Sequence, residues 1–171
     1  RDIVQLTLCQ RDAHRWGVKK WVIYWQMKSD RQFQQEKMQN NIFAVFFLIM
    51  AVYYGYRMFA LTPWYDELYT YYCFISKGPL YAAIHWLLPN NHVGYSVLSA
   101  CLNVFGNPYI GLRGVSYICA LANLCLIYII AKRYLKGWMP ICTVILFPSM
   151  GLVNQMAVQG RGYTMGITCF L

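Results

Sequence analysis

Two adjacent carboxylates, Asp66 and Glu67, are the only acidic residues of the chain after Glu36. With them stand a small number of residues able to do chemistry: Arg113, Arg161, Tyr163, His85 and His92. A carboxylate can take a proton from an attacking hydroxyl or amine. An arginine can fork onto phosphate or carboxylate oxygens. Neighbours on a helix point about 100° apart, so Asp66 and Glu67 are not expected to share one proton. One could act as a base while the other holds a cation or an arginine. The plainer alternative is a solvated acid capping the helix that follows Pro63. For Arg113 and Arg161 the plainer alternative is an interfacial anchor. Arg161 is flanked by Gly160 and Gly162, which leave the backbone open to a close approach or a special turn. His92, after Pro89-Asn90-Asn91, could orient a hydroxyl, bind a metal or hydrogen-bond within a turn. Asp66, Glu67 and one histidine, His92, form a chemically reasonable site for a divalent cation, although no further ligands are evident.

The elements that must position these residues are hydrophobic. Of the 171 residues, 58% are apolar and only 12% charged, well below the charged fraction of a soluble domain. Aromatic residues reach 18%, including 15 Tyr and 6 Trp, as expected of many side chains at a membrane–water interface. The net charge of +9 does not mark a nucleic-acid surface. Eight of the 15 Lys and Arg fall in residues 1–37, and three more in Lys132-Arg133-Tyr134-Leu135-Lys136. Placed between apolar segments, that distribution reads as positive-inside bias. Seven scattered cysteines have no CxxC and no metal-type spacing, so neither a disulfide framework nor a zinc site is expected. No GxxxxGK[ST], GxGxxG, HExxH or GxSxG occurs.

The expected architecture is all-α: a polytopic transmembrane protein with interfacial helices in its first outer loop. Residues 1–41 are polar and basic, and Trp16–Trp25 reads either as a surface-lying helix or as a poorly ordered tail. The region 42–171 carries the spans. Ile42–Leu61 is about 20 residues, enough for a hydrocarbon core of about 30 Å, with Arg57 able to snorkel to the headgroups. Residues 62–113 form an outer loop in which Leu98, Cys101, Leu102 and Phe105 follow a helical stripe. Further spans are expected at 114–131 and 138–153, and a fourth begins at 163. With the N-terminus inside, 11 basic residues lie on inner segments and four (Arg57, Lys77, Arg113, Arg161) on or near the outer side, so Asp66 and Glu67 face outward. Arg1 in place of Met, and the apolar run ending at Leu171, suggest a piece of a longer protein, with residues 1–37 upstream of its working start.

Four segments in order carry a resemblance: Trp64-Tyr-Asp66-Glu67, Pro89-Asn-Asn-His92, Phe105-Gly-Asn-Pro-Tyr-Ile-Gly-Leu-Arg113-Gly and Gln159-Gly-Arg161-Gly-Tyr163. Over roughly residues 42–171 the chain resembles the N-terminal part of the GT-C glycosyltransferases that use polyprenyl-phosphate sugars, among them protein O-mannosyltransferases and lipid A aminoarabinose transferases. The resemblance implies a truncated GT-C fold in a bacterial inner or plasma membrane. It implies Asp66 as catalytic base, Glu67 as its supporting neighbour, and Arg113, Arg161, Tyr163 and His92 around lipid phosphate and sugar. The His-Pro-Leu-like run of that family is here His92-Val-Gly-Tyr, without the proline. A polyprenyl-phosphate-linked sugar would be the donor, and a lipid, glycan or protein the acceptor. A divalent metal ion is a candidate cofactor. The spans that normally follow lie outside this chain, and the piece alone is not expected to transfer sugar. The rival readings are a transporter or flippase fragment, which would favour midplane charges and internal repeats, and an inert truncated product.

Overall fold

A computed structural model describes residues 2–85 and 92–171, with side chains from Asp30 onward outside the interval 86–91. The described residues are all-helical. Their helices are α1 (Asp2–Ala60), α2 (Tyr65–Cys73), α3 (Pro79–Ile84), α4 (Val93–Leu102), α5 (Pro108–Tyr134), α6 (Met139–Ser149), α7 (Gly151–Met156) and α8 (Tyr163–Phe170). Short 3-10 turns at Ile75–Lys77 and Asn103–Phe105 join the connecting segments. The chain divides into two units, residues 1–42 and 43–171. The first consists of the N-terminal part of α1, so the Trp16–Trp25 stretch is helical in its backbone, while its side chains lie outside the described set. Pro89-Asn90-Asn91, the start of one of the four segments above, also lies outside the described residues.

In the second unit α5 is the axis, with α4, α6 and α8 packed against it. It begins at Pro108, six residues before the expected 114, because Asn107 and Pro108 start the helix together. The Asn107 side chain accepts from the Tyr109 N–H at 3.0 Å, and proline suits the first helical turn. At 27 residues α5 reaches about 40 Å, more than a bilayer core requires. The other helical stretch long and apolar enough to cross a membrane is Asp30–Ala60, longer than the expected 42–61. The expected span 138–153 is instead divided. Proline within α6 at Pro148 removes a backbone donor, and Met150 turns extended (φ −66°, ψ 118°) before α7 begins. The eleven residues of α6 cover only about 16 Å.

Packing about α5 follows its sequence. Tyr54, Ala120, Leu124, Ala157 and Val158 form one buried cluster, and Ile127, Tyr128, Ile141 and Val144 another. Phe43 stacks on Tyr128 with centroids 4.1 Å apart. Ile75, Ala100 and Leu112 close the third cluster, under the connecting segments. On α4 the buried face is Tyr95, Ser96, Ser99 and Ala100, whereas Leu98, Cys101 and Phe105 are exposed. Of the helical stripe read from the sequence, Leu98, Cys101 and Phe105 thus lie on the exposed side, while Leu102 is part-buried. From the buried face Tyr95 donates to the Leu112 carbonyl, and Ser116 of α5 donates to the Gln159 carbonyl at 2.6 Å.

Candidate functional site: two arginine–carboxylate pairs

The site is built where four segments distant in sequence meet: the end of α1, the first turn of α2, the start of α5, and the turn before α8. Helix α2 starts because Trp64 is extended (φ −75°, ψ 157°) and the Glu67 side chain reaches back to accept the Trp64 backbone N–H at 2.8 Å. This is the glutamate half of a capping box. Asp66 and Glu67 thus occupy the first turn, where the helix dipole favours negative charge. Asp66 itself is not the cap; Trp64 holds that position.

Glu67 is 0% exposed. Besides the Trp64 N–H, its oxygens accept from Arg113 Nε at 3.0 Å, from Arg113 Nη2 at 2.8 Å and from the Gly160 N–H. Arg113 is 2% exposed and has the rest of its fork occupied. Its Nη1 donates to the carbonyls of Met58 at 3.1 Å and Leu61 at 2.7 Å, and Nη2 also reaches the Thr62 carbonyl at 3.3 Å. The five N–H groups of a guanidinium match these five acceptor contacts. Arg113 therefore ties the carbonyls at the end of α1, which have no partner inside the helix, to the cap of α2. Neither side chain is left with an unused hydrogen-bonding group toward a ligand. The lipid-phosphate role expected for Arg113, and a direct chemical role for Glu67, do not fit this geometry. Sequence could not reveal it, because the partners are main-chain carbonyls about fifty residues away.

Asp66 differs in every respect. Its side chain is 53% exposed and pairs with Arg161, whose Nη2 lies 2.8 Å from Asp66 Oδ2. The Arg161 side chain is 8% exposed, so the cation is anchored and the carboxylate presented. Tyr163 extends this group: Arg161 Nη1 donates to the Tyr163 hydroxyl at 3.4 Å, and Tyr163 meets the His92 ring edge-on at 5.4 Å. Partial burial and the nearby Arg161 charge push the His92 imidazole below its ordinary range. Asp66, Arg161, Tyr163 and His92 thus form one connected group, while His85 stacks on Tyr81 at 3.7 Å.

The glycines around Arg161 have separate reasons. A Cβ on Gly160 would lie 2.9 Å from Glu67 Oε1 and 2.9 Å from Leu112 Cγ, so only glycine lets its N–H reach the carboxylate. A Cβ on Gly162 would lie 3.2 Å from His92 Cβ and Cγ, which lets the histidine close over the turn. The metal set Asp66, Glu67 and His92 is not assembled: among the described residues no three His, Cys, Asp or Glu side chains come together to hold an ion. The physical reason is that both Glu67 oxygens already accept N–H groups.

A cavity of about 210 Å³ adjoins the buried pair, lined by Arg57, Leu61, Thr62, Trp64, Glu67, Arg113, Gln155, Val158 and Gln159. Sequence reasoning missed it. Arg57 looks like a simple snorkelling residue, and the polar run Asn154-Gln155…Gln159 was the available signal. No family model, curated protein or solved structure matches the chain. What fold and site define is a class: among the described residues, an all-helical protein with two helices long and apolar enough to span a membrane, carrying one closed and one open arginine–carboxylate pair.

Proposed function

We propose that the chain forms the N-terminal part of a polytopic membrane glycosyltransferase of the GT-C type. It would take a sugar from a polyprenyl-phosphate donor and pass it to an acceptor on the outer face of the membrane, with inversion. The two long apolar helices and the basic residues at 132–136 support a multi-pass topology with the N-terminus inside. The observation that carries the reading is the half-exposed carboxylate of Asp66, held by the buried Arg161 beside Tyr163 and His92.

In this reaction the acceptor oxygen or nitrogen attacks the anomeric carbon as its proton passes to an Asp66 oxygen. The bond from that carbon to the phosphate oxygen breaks, and its electron pair leaves with the polyprenyl phosphate. One displacement needs one base and no covalent carboxylate nucleophile. Arg161 fixes the base and places positive charge beside the reacting groups, where it favours the departing anion. Tyr163 and His92 offer a ring edge and hydrogen-bonding groups to the sugar.

The test uses the longest reading frame that contains this chain, expressed in membranes and supplied with radiolabelled polyprenyl-phosphate sugar. Asp66→Asn should lower transfer by about 10²–10⁴-fold, the usual weight of a positioned base, with membrane insertion unchanged. Transfer at the wild-type rate by Asp66→Asn would remove the base from the scheme. Absence of transfer by the wild type, with transport of the same lipid across vesicles, would favour a flippase.

A further inference from the structure

Residues 43–171 contain two acids and seven basic side chains. Both acids have arginine partners, Glu67 with Arg113 and Asp66 with Arg161. Arg57 lines the 210 Å³ cavity beside the first pair and has no carboxylate partner among the described residues. It is half-buried, on the last turn of α1. Its Nη1 donates to the backbone carbonyl of Asn154 at 2.9 Å and to the Asn154 side-chain oxygen at 2.5 Å, both neutral acceptors. These bonds fix the guanidinium without neutralising it. At half burial, with the Tyr53 ring 5.4 Å from the guanidinium, the cation is held without an anion, and an anion entering the cavity supplies the charge partner it lacks.

The walls suit an oxyanion carried on an apolar body. Glu67 and Arg113 cancel each other's charge, so Arg57 sets the sign of the cavity. Gln155, Gln159 and Trp64, the last 60% exposed, also line it, and glutamine and tryptophan side chains carry N–H donors. The volume corresponds to about seven waters, room for a tetrahedral phosphate with part of its hydration. Arg57 ends one of the two apolar helices long enough to cross a membrane, the level at which lipid headgroups lie.

We propose that this cavity binds the phosphate group of an anionic membrane lipid, with Arg57 as its recognition residue. The inference rests on the membrane placement above but needs no sugar transfer, so the two readings can fail independently. The full chain, purified in detergent, is mixed with phosphatidic acid, with phosphatidylcholine or with inorganic phosphate, and retained ligand is counted by native mass spectrometry. One phosphatidic acid should be retained in preference to phosphatidylcholine. Arg57→Gln should weaken it by about tenfold or more, the weight of charge-assisted hydrogen bonds. Gln155→Glu leaves Arg57 and its Asn154 bonds in place but puts a carboxylate into the cavity, and should weaken the lipid similarly. It keeps the test decisive if Arg57→Gln fails to fold. Equal retention by folded wild type and both variants would overturn the proposal, as would equal retention of phosphatidylcholine. Displacement of the lipid by inorganic phosphate at matched concentration would identify a free-phosphate site and overturn the lipid assignment.

Discussion

Replacing Glu67 by Gln changes one atom in a side chain with no solvent exposure, and its cost can be followed bond by bond. Each carboxylate oxygen accepts two N–H groups: Arg113 Nε and Gly160 at Oε1, Arg113 Nη2 and Trp64 at Oε2. Whichever way an amide is turned, its NH₂ faces two donors, so two hydrogen bonds become donor–donor contacts. Arg113 is left as a cation at 2% exposure with no anion. Removing one partner of a buried pair costs about 3–5 kcal/mol. Arg113→Met should cost at least as much, since it strands the Glu67 carboxylate and takes donors from the carbonyls of Met58, Leu61 and Thr62. Asp66→Asn, one residue earlier, concerns a half-exposed carboxylate and should cost about 0–1 kcal/mol once solvent screening is allowed for. The assay is denaturant unfolding of the purified chain in detergent, followed by circular dichroism, with Glu67→Gln and Arg113→Met combined in a double-mutant cycle. The double variant should recover about 1.5 kcal/mol or more of the summed single costs. A Glu67→Gln variant within about 0.5 kcal/mol of Asp66→Asn, or a coupling energy near zero, would refute the closed-pair reading.

Three further outcomes follow from the same geometry. Gly160→Ala should destabilise by about 1–3 kcal/mol in the same unfolding assay, because its Cβ would sit 2.9 Å from Glu67 Oε1 and from Leu112; Gly151→Ala, with open space around it, should be neutral. The depressed His92 imidazole makes the unfolded chain the better proton binder, so its contribution is complete above the ordinary imidazole value of about 6.5 and lost as pH falls through the lower folded value. Between pH 7 and 5.5 the unfolding midpoint of His92→Gln should therefore fall less than that of the wild type; equal slopes would show the ring contributes nothing. In a cysteine-free background, Tyr65→Cys and Tyr134→Cys report topology, both positions being well exposed in the protein. With the orientation proposed from the basic residues, an impermeant thiol reagent should label position 65 in intact cells and spare position 134, and the reverse pattern would invert that proposal.

The helices were more legible than their ends. Apolar length was enough to find the core of α1 and α5, since an apolar run that long has few other ways to satisfy its backbone. The starts were harder. Asn107-Pro108 reads as a break when only the missing proline donor is weighed, yet the same two residues cap and open α5. Periodicity on α4 found the stripe through Leu98 and Cys101, which is exposed, but not that Ser96 and Ser99 form the side packed against the protein. The arginines show the same limit. Arg161 next to two glycines signalled close approach, and it is Gly160 whose N–H meets a carboxylate. Nothing local distinguished Arg113, whose acceptors are three main-chain carbonyls and a glutamate 46 residues away.

The separation of roles between Asp66 and Glu67 follows from helix geometry more than from either side chain. At about 100° per residue, neighbours in the first turn of α2 cannot both face the same wall. Glu67, at the third position, has the reach to fold back on the Trp64 N–H, and doing so turns its oxygens toward Arg113 and Gly160. Asp66 is then carried around the helix toward the turn before α8, where Arg161 meets it from a buried base. The closed pair also constrains where the open one sits. It fixes the end of α1, the start of α2, α5 and the Gly160 turn at one point, so the two residues bearing the open pair, each adjacent in sequence to an anchored one, have little freedom to drift apart. In the proposed transfer reaction Asp66 must meet an incoming hydroxyl within hydrogen-bond reach, and its placement would depend on that constraint. Weakening the closed pair without unfolding the chain, as Glu67→Asp would do by shortening its reach, should therefore depress transfer while Asp66 itself is intact. Unchanged transfer in a folded Glu67→Asp variant would show that the two pairs are independent.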